Sequence, residues 1–273
     1  MAYQGIDTAT PLQLRNFKLL KANDISFVGR YLVPATPSMW KAITPKEIDI
    51  IHSEGLAILL CWEMGEGDMK EGSSKGIVHG STARQLAEQY GVPEGTTIFF
   101  ACDYNAQKED FIQIEAYLQA AALALGDKYN IGLYGHNRVI DYIALGGIVK
   151  KFWQCVAWSG GQVSQFTNVY QYEWSGGQKA TELAKLVGID ENHPLPVDLN
   201  SCQDMKAAGL WMPPEKEPES NWYDIQMQWC KDAGLLRDGR PNDPLTRAEA
   251  ATILYRLYGP EDRKDFGGLG SDD

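Results

Sequence analysis

The chain has 273 residues, 44% hydrophobic and 22% charged, with a net charge of -11. That length accommodates one barrel of roughly 200 to 250 residues plus a small extra unit, and the balance is that of a folded globular protein. The acid surplus argues against a nucleic-acid partner, since phosphate neutralisation needs a face rich in Lys and Arg; a neutral sugar polymer is compatible.

The chain opens on MAYQGID and enters a strand at once, with neither a basic-then-apolar leader nor an apolar run near ~20 residues. This predicts a protein made in the cytoplasm without a signal peptide and with no stable membrane insertion. Eight strands are predicted over 2–7, 25–32, 56–63, 97–103, 130–135, 152–158, 168–172 and 195–199, alternating with helices. Such alternation predicts a parallel sheet closed as an α/β, TIM-like (β/α) barrel over residues 1–212. Thr44-Pro45-Lys46-Glu47 is a capping box that starts the second helix. Helices are expected over Ser81 to Tyr90 and Asp110 to Leu125, closed by Gly91 and Gly126, and Asn137 is placed to cap the helix after the fifth strand. Residues 159–167 are too few and too glycine-rich for a full helix, so the barrel is incomplete there.

From Trp211 the sequence becomes WMPPEKEPESN, whose prolines deny helix and ladder hydrogen bonds alike, giving a linker over 213–221. Residues 222–260 carry two helical patterns around a polar turn, and the acidic 261–273 tail has no periodicity.

Active sites of such barrels lie at the carboxyl ends of the strands. Four acids are predicted there: Asp7, Glu63, Asp103 and Asp198. Glycoside hydrolysis needs a carboxylic acid to protonate the leaving oxygen and a second carboxylate as base, nucleophile or charge stabiliser. Each acid follows an apolar run, where an unpaired charge is costly unless it faces an open polar mouth. Arg30, Tyr31, Trp62, Tyr104, Tyr134, His136, Trp158, Gln171, Tyr172 and Asn200 collect at the same strand ends and are candidate sugar-binding groups. The aromatic residues among them are equally suited to packing beneath helices. Five Cys show no zinc or redox spacing, the four His occur singly, and the glycines form no phosphate loop. Neither a metal nor another cofactor is expected.

The order GID, FFACD, LYG, YQY and VDLN along the strands resembles glycoside hydrolase family 25 muramidases. It resembles more closely their glycoside-hydrolase-like relatives of unknown function, which GRYL and the strand-three glutamate favour. The resemblance covers about residues 2–208. It implies an acidic pocket containing Asp7, Asp103 and Asp198, with Gln171-Tyr172 beside it. Those muramidases have D-x-E at strand four, whereas this chain has Asp103-Tyr104-Asn105; Glu63 is therefore expected to supply the proton. The segment NWYDIQMQWCKDAGLLRDGRPNDPLTRAEAATILYRLY resembles an S-layer homology module, which implies that Arg247 contacts an anionic secondary wall polymer. Such modules usually come in threes, so a single copy implies weak binding, homo-oligomerisation or a lost role. Together the resemblances imply a wall hydrolase of the bacteriophage endolysin type acting on peptidoglycan at the bacterial cell wall, with a non-catalytic glycan-binding barrel as the alternative.

Overall fold

Eight strands close into a single barrel, each paired to its sequence neighbours and the last to the first. They are β1 (Tyr3–Asp7), β2 (Ile25–Tyr31), β3 (Ala57–Trp62), β4 (Thr97–Ala101), β5 (Asn130–Gly135), β6 (Lys151–Cys155), β7 (Val169–Glu173) and β8 (Asp198–Cys202). The computed structural model describes residues 2–188 and 192–215. Most of the expected linker, the 222–260 module with Arg247, and the 261–273 tail lie outside the described residues.

The expected all-parallel sheet is corrected at one strand. β1 to β7 run parallel, but β8 is antiparallel to both β7 and β1. It also begins three residues later than expected, at Asp198 instead of Leu195. The reason lies in His193-Pro194-Leu195-Pro196: two prolines without an N–H cannot sustain a ladder, so this stretch precedes the strand. Thr8 Oγ1 ties the Pro196 carbonyl to the end of β1 at 2.7 Å. Asp198 thus starts its strand and still reaches the end of the barrel at which β1 to β7 finish.

Among the described residues seven helices surround the sheet: α1 (Leu14–Ala22), α2 (Pro45–Ser53), α3 (Ser73–Gln89), α4 (Phe111–Leu125), α5 (Asn137–Gly146), α6 (Gln178–Val187) and the single turn α7 (Met205–Ala208). β6 and β7 are joined by turns without a helix, as the glycine-rich 159–167 stretch implies. Thr44 caps α2 by accepting from the Glu47 amide at 3.2 Å. The Glu47 carboxylate does not complete the expected box, because it accepts from Arg30 and from the Leu12 amide instead. Nor does Asn137 cap α5; it is the first helical residue, and its amide donates to Ser159 Oγ at 3.2 Å.

α3 starts at Ser73, well before the expected Ser81. Its Gly76 and Gly80 weaken the sequence signal for helix, yet they are what lets α3 lie against α4. A Cβ at either would collide with the carbonyls of Tyr117 or Ala121 on α4.

Two buried layers result. Outward residues such as Ile58, Leu60, Ile98 and Phe100 pack under the helices. Inward residues such as Phe27, Leu59, Phe99 and Trp153 fill the lumen, together with Met205, Ala208 and Leu210 from α7 and its sequel. β8 carries the chain away from the mouth, so α7 plugs the opposite end. Trp211 then exchanges two backbone hydrogen bonds of 2.8 Å with Ile58.

Candidate active site

Side chains alternate in and out along a strand, so parity decides what enters the lumen. Inward positions at the mouth are Asp7 on β1, Tyr31 on β2, Cys61 on β3 with Glu63 just past its end, Ala101 on β4 with Asp103 two residues past its end, Tyr134 on β5, Trp153 on β6, Gln171 on β7 and Asp198 on β8. These ten residues line one cavity of about 90 Å³. All four expected carboxylates therefore converge. Gly29 pairs with Asp7 across β1 and β2 and keeps room for it, since a Cβ there would meet the Asp7 Cβ.

The same parity sends several expected sugar contacts elsewhere. Arg30 is fully buried behind the sheet, where its Nε donates to Glu47 Oε1 at 2.8 Å and its Nη1 donates to the Thr8 carbonyl. Trp62 packs against His79 and Phe100 beneath the helices. Tyr104 also faces outward, with the Lys70 ammonium 4.5 Å from its ring centre. Tyr172 points to the outer surface and donates to Gln4 Oε1 at 3.0 Å. His136 is buried with its Nε2 3.1 Å from the Ala106 carbonyl. None of these five lines the cavity; each is held by packing or by hydrogen bonds within the chain. Trp158 lies exposed on the loop after β6. Asn200 sits one layer below the cavity on β8.

The floor is a hydrogen-bonded set. Asp7 Oδ2 accepts from Asn200 Nδ2 at 2.7 Å and Gln171 Nε2 at 2.9 Å. Gln171 Nε2 also reaches Asp198 Oδ2 at 3.2 Å, while its Oε1 accepts from the Tyr134 hydroxyl at 3.0 Å. Trp153 Nε1 donates to Asn200 Oδ1 at 2.8 Å, and the Ser175 amide donates to Asp198 Oδ1 at 2.6 Å. Burial, helped by repulsion from Asp198, raises the Asp7 carboxyl to about 8 despite its two amide donors. Burial also raises Asp198, against the pull of Ser175.

The wall is different. Burial first, then repulsion from Glu63 and Glu66, raises Asp103 to about 6. Glu63 accepts from Lys41 Nζ at 2.8 Å, and the same ammonium lies 4.4 Å above the Tyr31 ring. Cys61 shares the cavity, but burial pushes its thiol well above the ordinary range, so it is a poor nucleophile. All four described cysteines are buried and unpaired.

Sequence reasoning missed Lys41, Trp153 and Ser175, and put Cys61 near the mouth only as an inert strand cysteine. Counting alternation back from Glu63 and along β6 finds Cys61 and Trp153. Lys41 and Ser175 come from loops, where no periodicity marks them.

An acid-lined mouth in an eight-stranded barrel is an arrangement suited to sugar chemistry, and residues 18–200 match the model of the Rv2525c-like, glycoside hydrolase-like domain. The chain belongs to that family. The Bacillus subtilis protein FadG, itself uncharacterised, is 28% identical over 149 residues, 52% of this chain. The chain spans about a quarter of the length of the curated relatives it matches. Among solved structures, the Mycobacterium tuberculosis Tat-secreted protein Rv2525c in complex with L-tartrate matches with a TM-score of 0.63 at 22% identity. That match covers 76% of this chain and 98% of Rv2525c. An uncharacterised B. stearothermophilus protein matches with a TM-score of 0.55 at 18% identity, over 76% of this chain and 99% of that one. These two likenesses are of fold.

Proposed function

We propose that the barrel is a glycosidase of bacterial cell-wall glycan, lysozyme-like in its reaction, with Asp103 as proton donor and Glu63 as the facing carboxylate. The observation that carries this reading is the unequal setting of two neighbouring carboxyls on β3 and β4. Asp103, raised to about 6, is about half protonated near pH 6 and can give that proton to a leaving oxygen there. Glu63 is engaged as the acceptor of the Lys41 ion pair, the setting of a carboxylate that stabilises developing positive charge or activates water. This reverses the roles expected from sequence, in which Glu63 was to be the acid. Asp7, Gln171, Asn200 and Asp198 then form the floor that orients the sugar beneath the scissile bond. Membership in a glycoside hydrolase-like family supports the reaction class. The likeness of residues 222–258 to an S-layer homology module supports a wall substrate, with Arg247 as its contact to an anionic polymer.

A non-catalytic glycan-binding barrel is the second reading, and Asn105 favours it. Where the muramidases that this chain resembles carry a glutamate, Asn105 is exposed and turned to Arg138, accepting from its Nη2 at 2.9 Å. Digestion of purified peptidoglycan, followed by mass spectrometry of soluble products, separates the two. The wild type is expected to release fragments with new muramic acid reducing ends, and Asp103→Asn and Glu63→Gln to lose about 10² to 10⁴ in rate. Folded variants that both retain the wild-type rate refute the assignment. A wild type that sediments with walls yet releases nothing is a binder.

A further inference from the structure

Six tryptophans fall among the described residues, and they divide sharply. Trp62, Trp153 and Trp211 are buried, whereas Trp40, Trp158 and Trp174 are 60%, 42% and 61% exposed. All three exposed indoles lie on loops that leave the mouth-side ends of parallel strands: Trp40 after β2, Trp158 after β6 and Trp174 after β7. Two of them adjoin residues that hold a mouth carboxylate. Lys41 follows Trp40 and pairs with Glu63; Ser175 follows Trp174 and donates its amide to Asp198.

Two of the three are also constrained locally. Trp158 has φ of +56°, a left-handed conformation that is strained for a bulky side chain and persists only where the surroundings impose it. The Trp174 ring lies over Gly176, where a Cβ would overlap it. In a closed eight-stranded barrel β2 stands opposite β6, so the loop that carries Trp40 and the loops that carry Trp158 and Trp174 leave different sides of the mouth-side rim.

We infer that these three tryptophans are stacking subsites for an uncharged, linear polysaccharide laid across the mouth, from the β2 side to the β6 and β7 side. The inference rests on the glycosidase reading and names its substrate class: an extended chain, not a free mono- or disaccharide. The central cavity is small, about 90 Å³, so an extended polymer would have to be held largely on the rim. Exposed indole faces supply large flat apolar area at little entropic cost, which suits sugar rings. Among the residues that line the cavity four are acids and none is a cation, and the nearby Lys41 is already paired with Glu63, which disfavours a polyanion.

The test uses the full chain carrying Asp103→Asn, so that ligands stay intact, and titrates β-1,4-linked N-acetylglucosamine oligomers of two and six units by calorimetry. The hexamer is expected to bind about tenfold or more tightly than the dimer. Adding Trp40→Ala or Trp174→Ala should weaken hexamer binding about three- to tenfold and dimer binding less than about twofold, with the Phe variants restoring most of it. Equal affinities for the two lengths, no binding of either, Ala variants that keep hexamer affinity, or tighter binding of carboxymethylated glucan would each overturn the inference. Catalysis is read separately, from peptidoglycan products with Asp103 intact. Length-dependent binding without products keeps the subsites and removes the enzyme.

Discussion

Asp7 offers the sharpest physical test of the site. Its carboxyl is 7% exposed, faces Asp198 across the β1–β8 pairing and is raised to about 8. In the unfolded chain it titrates near 3.8. From about pH 4 to about pH 8 the native state therefore binds the extra proton, and stability falls as pH rises through that window. Asp7→Asn removes this dependence while keeping the geometry, because the amide oxygen can still accept from Asn200 and Gln171. At 1.36 kcal/mol per pKa unit, the wild type loses on the order of 4 kcal/mol relative to the variant between pH 5 and pH 8. Sharing of the proton with Asp198 makes that figure an upper bound. Urea denaturation of both proteins at the two pH values, followed by tryptophan fluorescence, measures the difference. Stability curves of equal slope against pH would mean that Asp7 is charged in the native state, and the account of the floor would fall.

Three further outcomes follow from the same structure. Wall-lytic activity should decline as pH rises through about 6, where Asp103 loses the proton it must donate; a rate that is flat from pH 5 to 8 assigns the acid elsewhere. Arg30→Met strands the Glu47 carboxylate in the core and frees the Thr8 carbonyl, and should cost about 3–5 kcal/mol, read as a fall in melting temperature. Gly80→Ala drives a methyl group into the Ala121 carbonyl on α4 and should cost about 1–3 kcal/mol, whereas a neutral result would show that α3 and α4 can part without penalty.

The eight strands and most helices were legible because apolar runs, capping residues and glycine stops mark them directly. What escaped were features that depend on a partner. Residues 73–80 did not read as helix, because Gly76 and Gly80 have poor propensity alone and earn their place only against α4. The run from Leu195 reads as a strand by hydrophobicity, yet Pro194 and Pro196 move the ladder to Asp198. Within the site, the four acids were visible as charges ending apolar strands. The expected aromatic and basic contacts were not separable in runs such as AILLCWE, where both faces are buried and apolar. Only parity, counted from an acid known to face inward, tells Cys61 from Trp62 and Tyr31 from Arg30.

The reversed eighth strand also bears on which acids can react. In a barrel closed by a parallel β8, the mouth-side residue would be Cys202, and Asp198 would sit at the plugged end. Reversal brings Asp198 to the mouth, and its register sets it directly opposite Asp7. Two carboxyls so placed, bridged by one Gln171 amide, are difficult to ionise together, and the more buried one keeps the proton. Barrel closure therefore favours the protonated form of Asp7 and makes it a hydrogen-bonded floor residue. On the proposed glycosidase reading, the groups left to exchange protons with a substrate are on the opposite wall, where Asp103 is raised only to about 6 and Glu63 stands beside Lys41. On this reasoning Asp7→Asn should keep much of any lytic activity near pH 6, while Asp103→Asn abolishes it. An Asp7 variant as inactive as the Asp103 variant, and equally well folded, would move the reaction from the β3–β4 wall to the β1–β8 floor.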